Sequence, residues 1–214
     1  AGPTREPIDP VRFISNYSSG KMGYALAESA RNLGADVELI SGPVGIKMPE
    51  NIKVTSVETS AEMLDAVLGK IPYCDVFISA AAISDYRPSH KSTEKHKSSD
   101  GELVIRLQRG EDILKLAKET KADLYAVGFS AETNNISDNA KIKLEKKNID
   151  MIISNEANHQ KGLGFESDMN EVCIIEKDSI LKVPKNTKKI IADIILSRIA
   201  KNIRGNLIKI KNAR

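Results

Sequence analysis

Apolar positions along this chain switch repeatedly between a helical and an extended period. In residues 20–33 they recur at Met22, Ala25, Leu26, Ala30 and Leu33, which predicts a helix with Gly34 as its stop. Residues 37–40 read as a short strand ended by Ser41-Gly42-Pro43, and residues 52–57 as another. Thr59 or Ser60 then caps a second helix with Met63, Leu64, Val67 and Leu68 on one face.

Residues 76–83 are almost continuously apolar, the pattern of a central strand covered on both faces. Ser84-Asp85-Tyr86-Arg87-Pro88 follows, and from there to Gly101 the chain is rich in Lys, His, Ser and Thr without period. That stretch reads as a mobile loop suited to a lid. Residues 103–108 alternate, and Ile113, Leu114, Leu116 and Ala117 resume helical spacing. Residues 125–129 make another central strand, followed by Glu132-Thr133-Asn134-Asn135 and a helix over 136–147. Residues 151–154 are a short strand, and 155–165 an irregular polar segment containing Gly162 and Gly164. Residues 172–176 and 179–183 suggest a hairpin, and 188–201 a closing helix.

This strand, loop and helix rhythm predicts an α/β fold with a largely parallel sheet. The 214 residues suffice for a full core without disulfide staples. Composition narrows the partners: 32 Lys and Arg against 29 Asp and Glu leave +3, too small and dispersed an excess for a nucleic-acid protein. No apolar run approaches the ~20 residues that span a bilayer, so no membrane partner is expected. Cys74 and Cys173 are far apart and read as buried thiols in a reducing compartment, so a cytoplasmic setting is expected.

Candidate chemistry concentrates in a few places. Ser15-Asn16-Tyr17-Ser18-Ser19-Gly20-Lys21 precedes a helix whose free N–H groups could receive a phosphate or carboxylate, or could simply be capped. The segment lacks both the GxGxxG and the GxxxxGK[ST] spacing. Asp85, just beyond a central strand, could position Mg²⁺ or accept from a sugar hydroxyl, and equally could cap a turn. Lys95 and Lys97 sit in the lid-like stretch, where ammonium groups can follow charge on a transferred phosphoryl group or remain solvated. His90 and His96 lack a third matched ligand and read as surface residues. Lys143 and Lys147 share a helix face and could grip a triphosphate, although Lys141 and Lys146 spread charge around the same helix. Ser130 and Ser154 have no evident base partner, and Cys173 no nearby His, which argues against nucleophilic catalysis.

Taken together, GPTREPIDPVRFISNYSSGKMG, the SGPV turn, the AAISDYRP strand end and the GFSAETNN segment closely resemble phosphopantothenoylcysteine synthetase. In bacteria this synthetase commonly forms the carboxyl-terminal domain of a bifunctional coenzyme A biosynthesis protein. The resemblance implies a Rossmann-like three-layer α/β fold with a largely parallel central sheet and a small hairpin dimerisation element. It implies one domain over residues 1–214, lacking the apolar first strand with which the family opens. It also implies a ligase that activates 4'-phosphopantothenate with CTP to an acyl-cytidylate and pyrophosphate. The amine of L-cysteine then displaces CMP.

Carried over by motif, Asn16 resembles the asparagine that orients the acyl intermediate, and Lys95 the lysine that assists activation. Asp85 resembles the carboxylate that serves cytidine and a divalent metal, Mg²⁺ or Mn²⁺. Gly110, Glu111, Asp112 and Ile113 fall at a nucleotide-contacting turn, Phe129 at a nucleotide pocket, and Lys143 and Lys147 at the CTP phosphates. Gly110-Glu111 departs from the family's proline-containing approach to Asp112, and His96 interrupts its basic lid. A homodimer is implied, as is a decarboxylase domain fused to the synthetase. An ATP-using ligase, a nucleotide-binding regulatory module and a nicotinamide-dependent oxidoreductase are the competing readings.

Overall fold

In a computed structural model describing residues 1–97, 101–132, 136–156 and 167–212, the proline-rich opening segment is itself paired. Arg5–Pro7 (β1) and Phe13–Ser15 (β2) form an antiparallel hairpin, with Glu6 opposite Ile14. Helix α1 (Lys21–Asn32) starts at Gly20, whose φ of 76° a side chain would disfavour. It ends as expected: Gly34 is left-handed and Ala35 N donates to Ala30 O.

Glu38–Ser41 (β3) and Lys53–Ser56 (β4) pair in parallel. Helix α2 (Ser60–Leu68) carries a reciprocal cap: Thr59 Oγ1 accepts from Glu62 N while the Glu62 carboxylate receives the Thr59 N–H. Val76–Ser79 (β5) is shorter than the apolar run suggests, and the remainder of that run pairs with the start of the chain. Ala82 N donates to Gly2 O at 2.9 Å, and Thr4 N to Ala82 O at 3.2 Å. On their other side, Gly42 N donates to Ala1 O and Ala1 N to Ile40 O. Residues 1–4 therefore lie between β3 and the stretch after β5. The approach is close enough that a Cβ at Gly42 would overlap the Pro3 carbonyl.

The region read as an unpaired lid is anchored at its base. Tyr86–Pro88 (β6) pairs antiparallel with Leu107–Arg109 (β7), and Ser89 N donates to Arg106 O. Of the alternating stretch 103–108, only its last two residues join this ladder. Helix α3 (Ile113–Thr120), strand β8 (Tyr125–Glu132), helix α4 (Ile136–Lys147) and strand β9 (Met151–Glu156) follow. Met169–Glu176 (β10) and Ser179–Thr187 (β11) form the expected hairpin, extended by several residues, and α5 (Lys188–Asn212) runs beyond its expected end. Residues 98–100, Thr133-Asn134-Asn135 and the segment with Gly162 and Gly164 lie outside the described residues.

The main sheet has the order β11-β10-β9-β8-β5. Strands β5, β8 and β9 are parallel, whereas β10 and β11 are antiparallel, so in this sheet the expected parallel character holds for β5, β8 and β9. Side chains alternate across each strand. Tyr125, Val127, Met151 and Ile153 pack with Leu26 of α1 and with Ile191, Ile195 and Ile199 of α5. Ala126 and Ile152 face Met63 and Val67 of α2, Ile113 and Ala117 of α3, and Leu144 of α4. Helices thus cover both faces of the sheet. No helix among the described residues is long and apolar enough to cross a membrane.

Candidate active site

The carboxyl ends of β5 and β8 are where open α/β sheets gather ligand-contacting groups, and several of the sequence-derived candidates meet there. The β6–β7 pairing brings Asp85 beside residue 110, with Gly110 N donating to Asp85 O at 2.8 Å. The Asp85 and Glu111 side chains are exposed. Asp112 caps α3 by accepting from Lys115 N at 3.1 Å, and its other oxygen lies 2.9 Å from Lys147 Nζ. Lys143 Nζ donates to Ser130 Oγ at 3.1 Å, at the carboxyl half of β8. The two lysines, the 110–112 turn and Asp85 thus lie in one polar region, with Lys143 and Lys147 each engaged there by a hydrogen bond or ion pair.

Two expected contacts take a different form. The Ile113 side chain is 3% exposed and belongs to the core beneath α3 rather than to this polar region. Phe129 packs against the cluster built with α1 and α5, which puts its ring on the opposite face of β8 from Ser130 and Lys143.

Asn16 follows β2, and its Nδ2 donates to Ala82 O at 3.0 Å, placing the amide three residues from Asp85 in the strand-end segment. Thr4, fully buried, supports the same segment: its Oγ1 accepts from Ser84 N at 3.0 Å, and its carbonyl accepts from Ser15 Oγ. Lys95 is exposed on the 89–106 loop. Among the described residues no hydrogen bond or ion pair joins it to Asp85 or to the lysine pair. Ser92 N donates to Ile8 O, and His96 N to the Asp9 carboxylate, so this part of the loop is tied to the β1–β2 turn.

Lys21 forms an ion pair with Asp168 at 2.7 Å, in a cleft of about 360 Å³ shared with Lys188. Burial, and then the charge of Lys21, push Lys188 down to about 8. Among the described residues no three His, Cys, Asp or Glu side chains are grouped to hold a metal. Asp85 alone fits the habit of Mg²⁺, which is commonly held by one or two carboxylates together with substrate phosphates. Sequence reading assigned no role to Thr4 or Asp9 and gave Ser130 none beyond excluding it as a nucleophile. The Asp9-Pro10 turn signal was the one legible hint among them.

Comparison with known proteins gives consistent results. The family described as DNA/pantothenate metabolism flavoprotein C-terminal domain matches residues 1–203. The Coenzyme A biosynthesis bifunctional protein CoaBC of Vibrio vulnificus (strain CMCP6) is 42% identical over 93% of this chain and 50% of that protein. Its namesake in Bacillus subtilis (strain 168) is 46% identical over 83% of this chain and 44% of its own length. A crystal structure of the C-terminal domain of a CoaBC protein superposes with a TM-score of 0.81 at 41% identity, covering 96% of this chain and 93% of that one. The chain spans about half the length of the curated relatives it matches.

Proposed function

Since the chain belongs to the DNA/pantothenate metabolism flavoprotein C-terminal domain family, we propose that it is a CTP-dependent phosphopantothenate–cysteine ligase of coenzyme A biosynthesis. The observation that carries this reading is the set of contacts at the strand ends, Lys143 with Ser130, Lys147 with Asp112 and Gly110 with Asp85, which supports a role for these groups toward the phosphates of a nucleotide.

In the first step a carboxylate oxygen of 4'-phosphopantothenate attacks the α-phosphorus of CTP. The bond to the β-phosphate oxygen breaks and pyrophosphate leaves. Lys143 and Lys147 hold the β- and γ-phosphates, and their charge favours the departing pyrophosphate. Lys95 neutralises charge that builds on the transferred phosphoryl group. Mg²⁺ or Mn²⁺ would be held by Asp85 and would supply further neutralisation of phosphate charge there. In the second step the amine of L-cysteine attacks the acyl carbon, loses a proton, and displaces CMP. The Asn16 amide, held on the Ala82 carbonyl, orients the acyl group for that attack.

A homodimer built through the β10–β11 hairpin belongs to this reading. Ile180, Leu181 and Ile190 are each more than 40% exposed at that edge, which supports it. A second unit in the same polypeptide, a decarboxylase by the sequence resemblance, also belongs to this reading, and the Vibrio vulnificus and Bacillus subtilis relatives, which are bifunctional proteins of coenzyme A biosynthesis, support a second unit. Free Cys74 and Cys173 accord with a cytoplasmic setting.

Mass spectrometry of reactions containing Mg²⁺, 4'-phosphopantothenate and cysteine with CTP or ATP tests the proposal. Phosphopantothenoylcysteine and CMP formed with CTP alone is the expected result. Amide formed equally well with ATP overturns the nucleotide assignment. CTP binding without any amide, by folded protein, leaves a regulatory module instead.

A further inference from the structure

We propose that Asp9 is a positioning residue for Lys95, clamping the loop that carries this lysine to the β1–β2 turn. The inference rests on the ligase reading in one respect, that Lys95 assists the activation step.

The two oxygens of the Asp9 carboxylate divide their partners. Oδ1 accepts from Val11 N and Arg12 N, both at 2.8 Å, and with Ile8 N and Asp9 N donating to Arg12 O these bonds close the turn between β1 and β2. Oδ2 accepts from Arg12 Nε at 3.0 Å and reaches across to His96 N at 3.3 Å. The same guanidinium donates to His96 O, so Asp9 and Arg12 grip both backbone groups of the residue after Lys95. A second tie lies on the other side of the lysine, where Ser92 N donates to Ile8 O at 2.9 Å. Ser92 Oγ also closes onto Glu94 N and O. Lys95 is thereby bracketed, at an exposed site, by two attachments to one turn.

The Asp9 side chain has no solvent exposure. Burial would raise its carboxyl, but the N–H groups of Val11, Arg12 and His96, together with the Arg12 guanidinium, hold it well below the usual carboxylate range. A buried carboxylate satisfied partly by a loop 87 positions away is disturbed when that loop leaves. The attachment therefore restrains the loop near the strand ends and limits the space Lys95 can sample. Pre-positioning of this kind raises the rate of a step without adding contact to the substrate.

The test uses Asp9→Asn and Asp9→Ser, alone and combined with Lys95→Gln. Both retain an oxygen for the turn and lose the charge that reaches His96. Pyrophosphate release gives kcat and the KM for CTP, and amide exchange at His96 in the parent protein reports the clamp directly. The expected result is a kcat lowered at least tenfold with KM for CTP within threefold. In the Lys95→Gln background the same changes lower kcat less than twofold, because Asp9 acts only through that lysine. Slow exchange at His96 N in the parent is expected as well. An equal loss of kcat with and without Lys95 overturns the proposal, as does rapid exchange at His96 N. If Lys95→Gln leaves activation intact, the ligase role of Lys95 fails, while His96 exchange still decides whether the clamp exists.

Discussion

The Lys147 ammonium lies 2.9 Å from the Asp112 carboxylate, tying the last turn of α4 to the cap of α3. A side chain that caps a helix through one oxygen and holds a lysine through the other sets the distance between two nucleotide-facing elements. Both partners of the ion pair are about one-third exposed, so the pair itself adds little stability.

Replacing Lys143 and Lys147 together with Gln should therefore weaken CTP at least tenfold, about 1.4 kcal/mol or more. Binding of 4'-phosphopantothenate should change little, and unfolding free energy by less than ~1 kcal/mol. Calorimetric titration of both ligands checks this, and equal weakening of the two would remove the lysines from the triphosphate.

Asn16→Asp removes the donor to Ala82 O and sets a carboxylate beside a carbonyl oxygen. Conversion of the acyl-cytidylate to amide should fall more than tenfold, with CTP affinity nearly unchanged. Separate assays of pyrophosphate release and amide formation distinguish the two steps. A matching loss of CTP affinity would place Asn16 elsewhere.

Gly42→Ala should destabilise the protein by roughly 1–3 kcal/mol, because the added methyl overlaps the Pro3 carbonyl and forces the backbone to shift. Gly45→Ala, three residues on, meets no atom within 4 Å and serves as the control. Urea denaturation of the two variants should separate them clearly.

Glu176 supplies the pH dependence. Burial alone would raise its carboxyl, but Arg198, Ser179 and Asn202 bring it down to about 2 from an ordinary 4.5. The folded form therefore binds its proton less readily than the unfolded chain. The stabilisation is complete above about pH 4.5 and is lost as pH falls toward 2. Glu176→Gln should cost about 2 kcal/mol at pH 7 and much less near pH 2, measured by denaturant unfolding at both values.

Local chemistry made much of the architecture readable. Thr59 and Glu62 announce their reciprocal cap three residues apart in the chain, and Gly34 marks the end of α1 because only its backbone turns left-handed there without strain. What escaped was long-range pairing over very few residues. Neither β1–β2 nor β6–β7 exceeds three residues on a side, too short to show a period, and Pro3, Pro7 and Pro10 gave the first the look of plain loop. The same limit applies to the site. Asp85, the Gly110 turn, Asn16 and the helix lysines were each singled out, but their meeting depends on the β6–β7 ladder and on Ala82, which carry no local signal. Phe129 shows the converse: its residue type was noticed, whereas strand alternation decides which face its ring occupies.

Residues 1–4 have a kinetic consequence. Their partners, Ile40 and Gly42 on one side and Ala82 and Ser84 on the other, are separated from them by roughly 40 and 80 positions. Closing loops of that size is entropically slow, while each flanking sheet has apolar neighbours of its own with which to collapse. The seam is thus set to zip up last during refolding. Because Asn16 hangs from Ala82, catalytic competence should lag behind the recovery of helical signal and arrive with protection of the Ala82 amide.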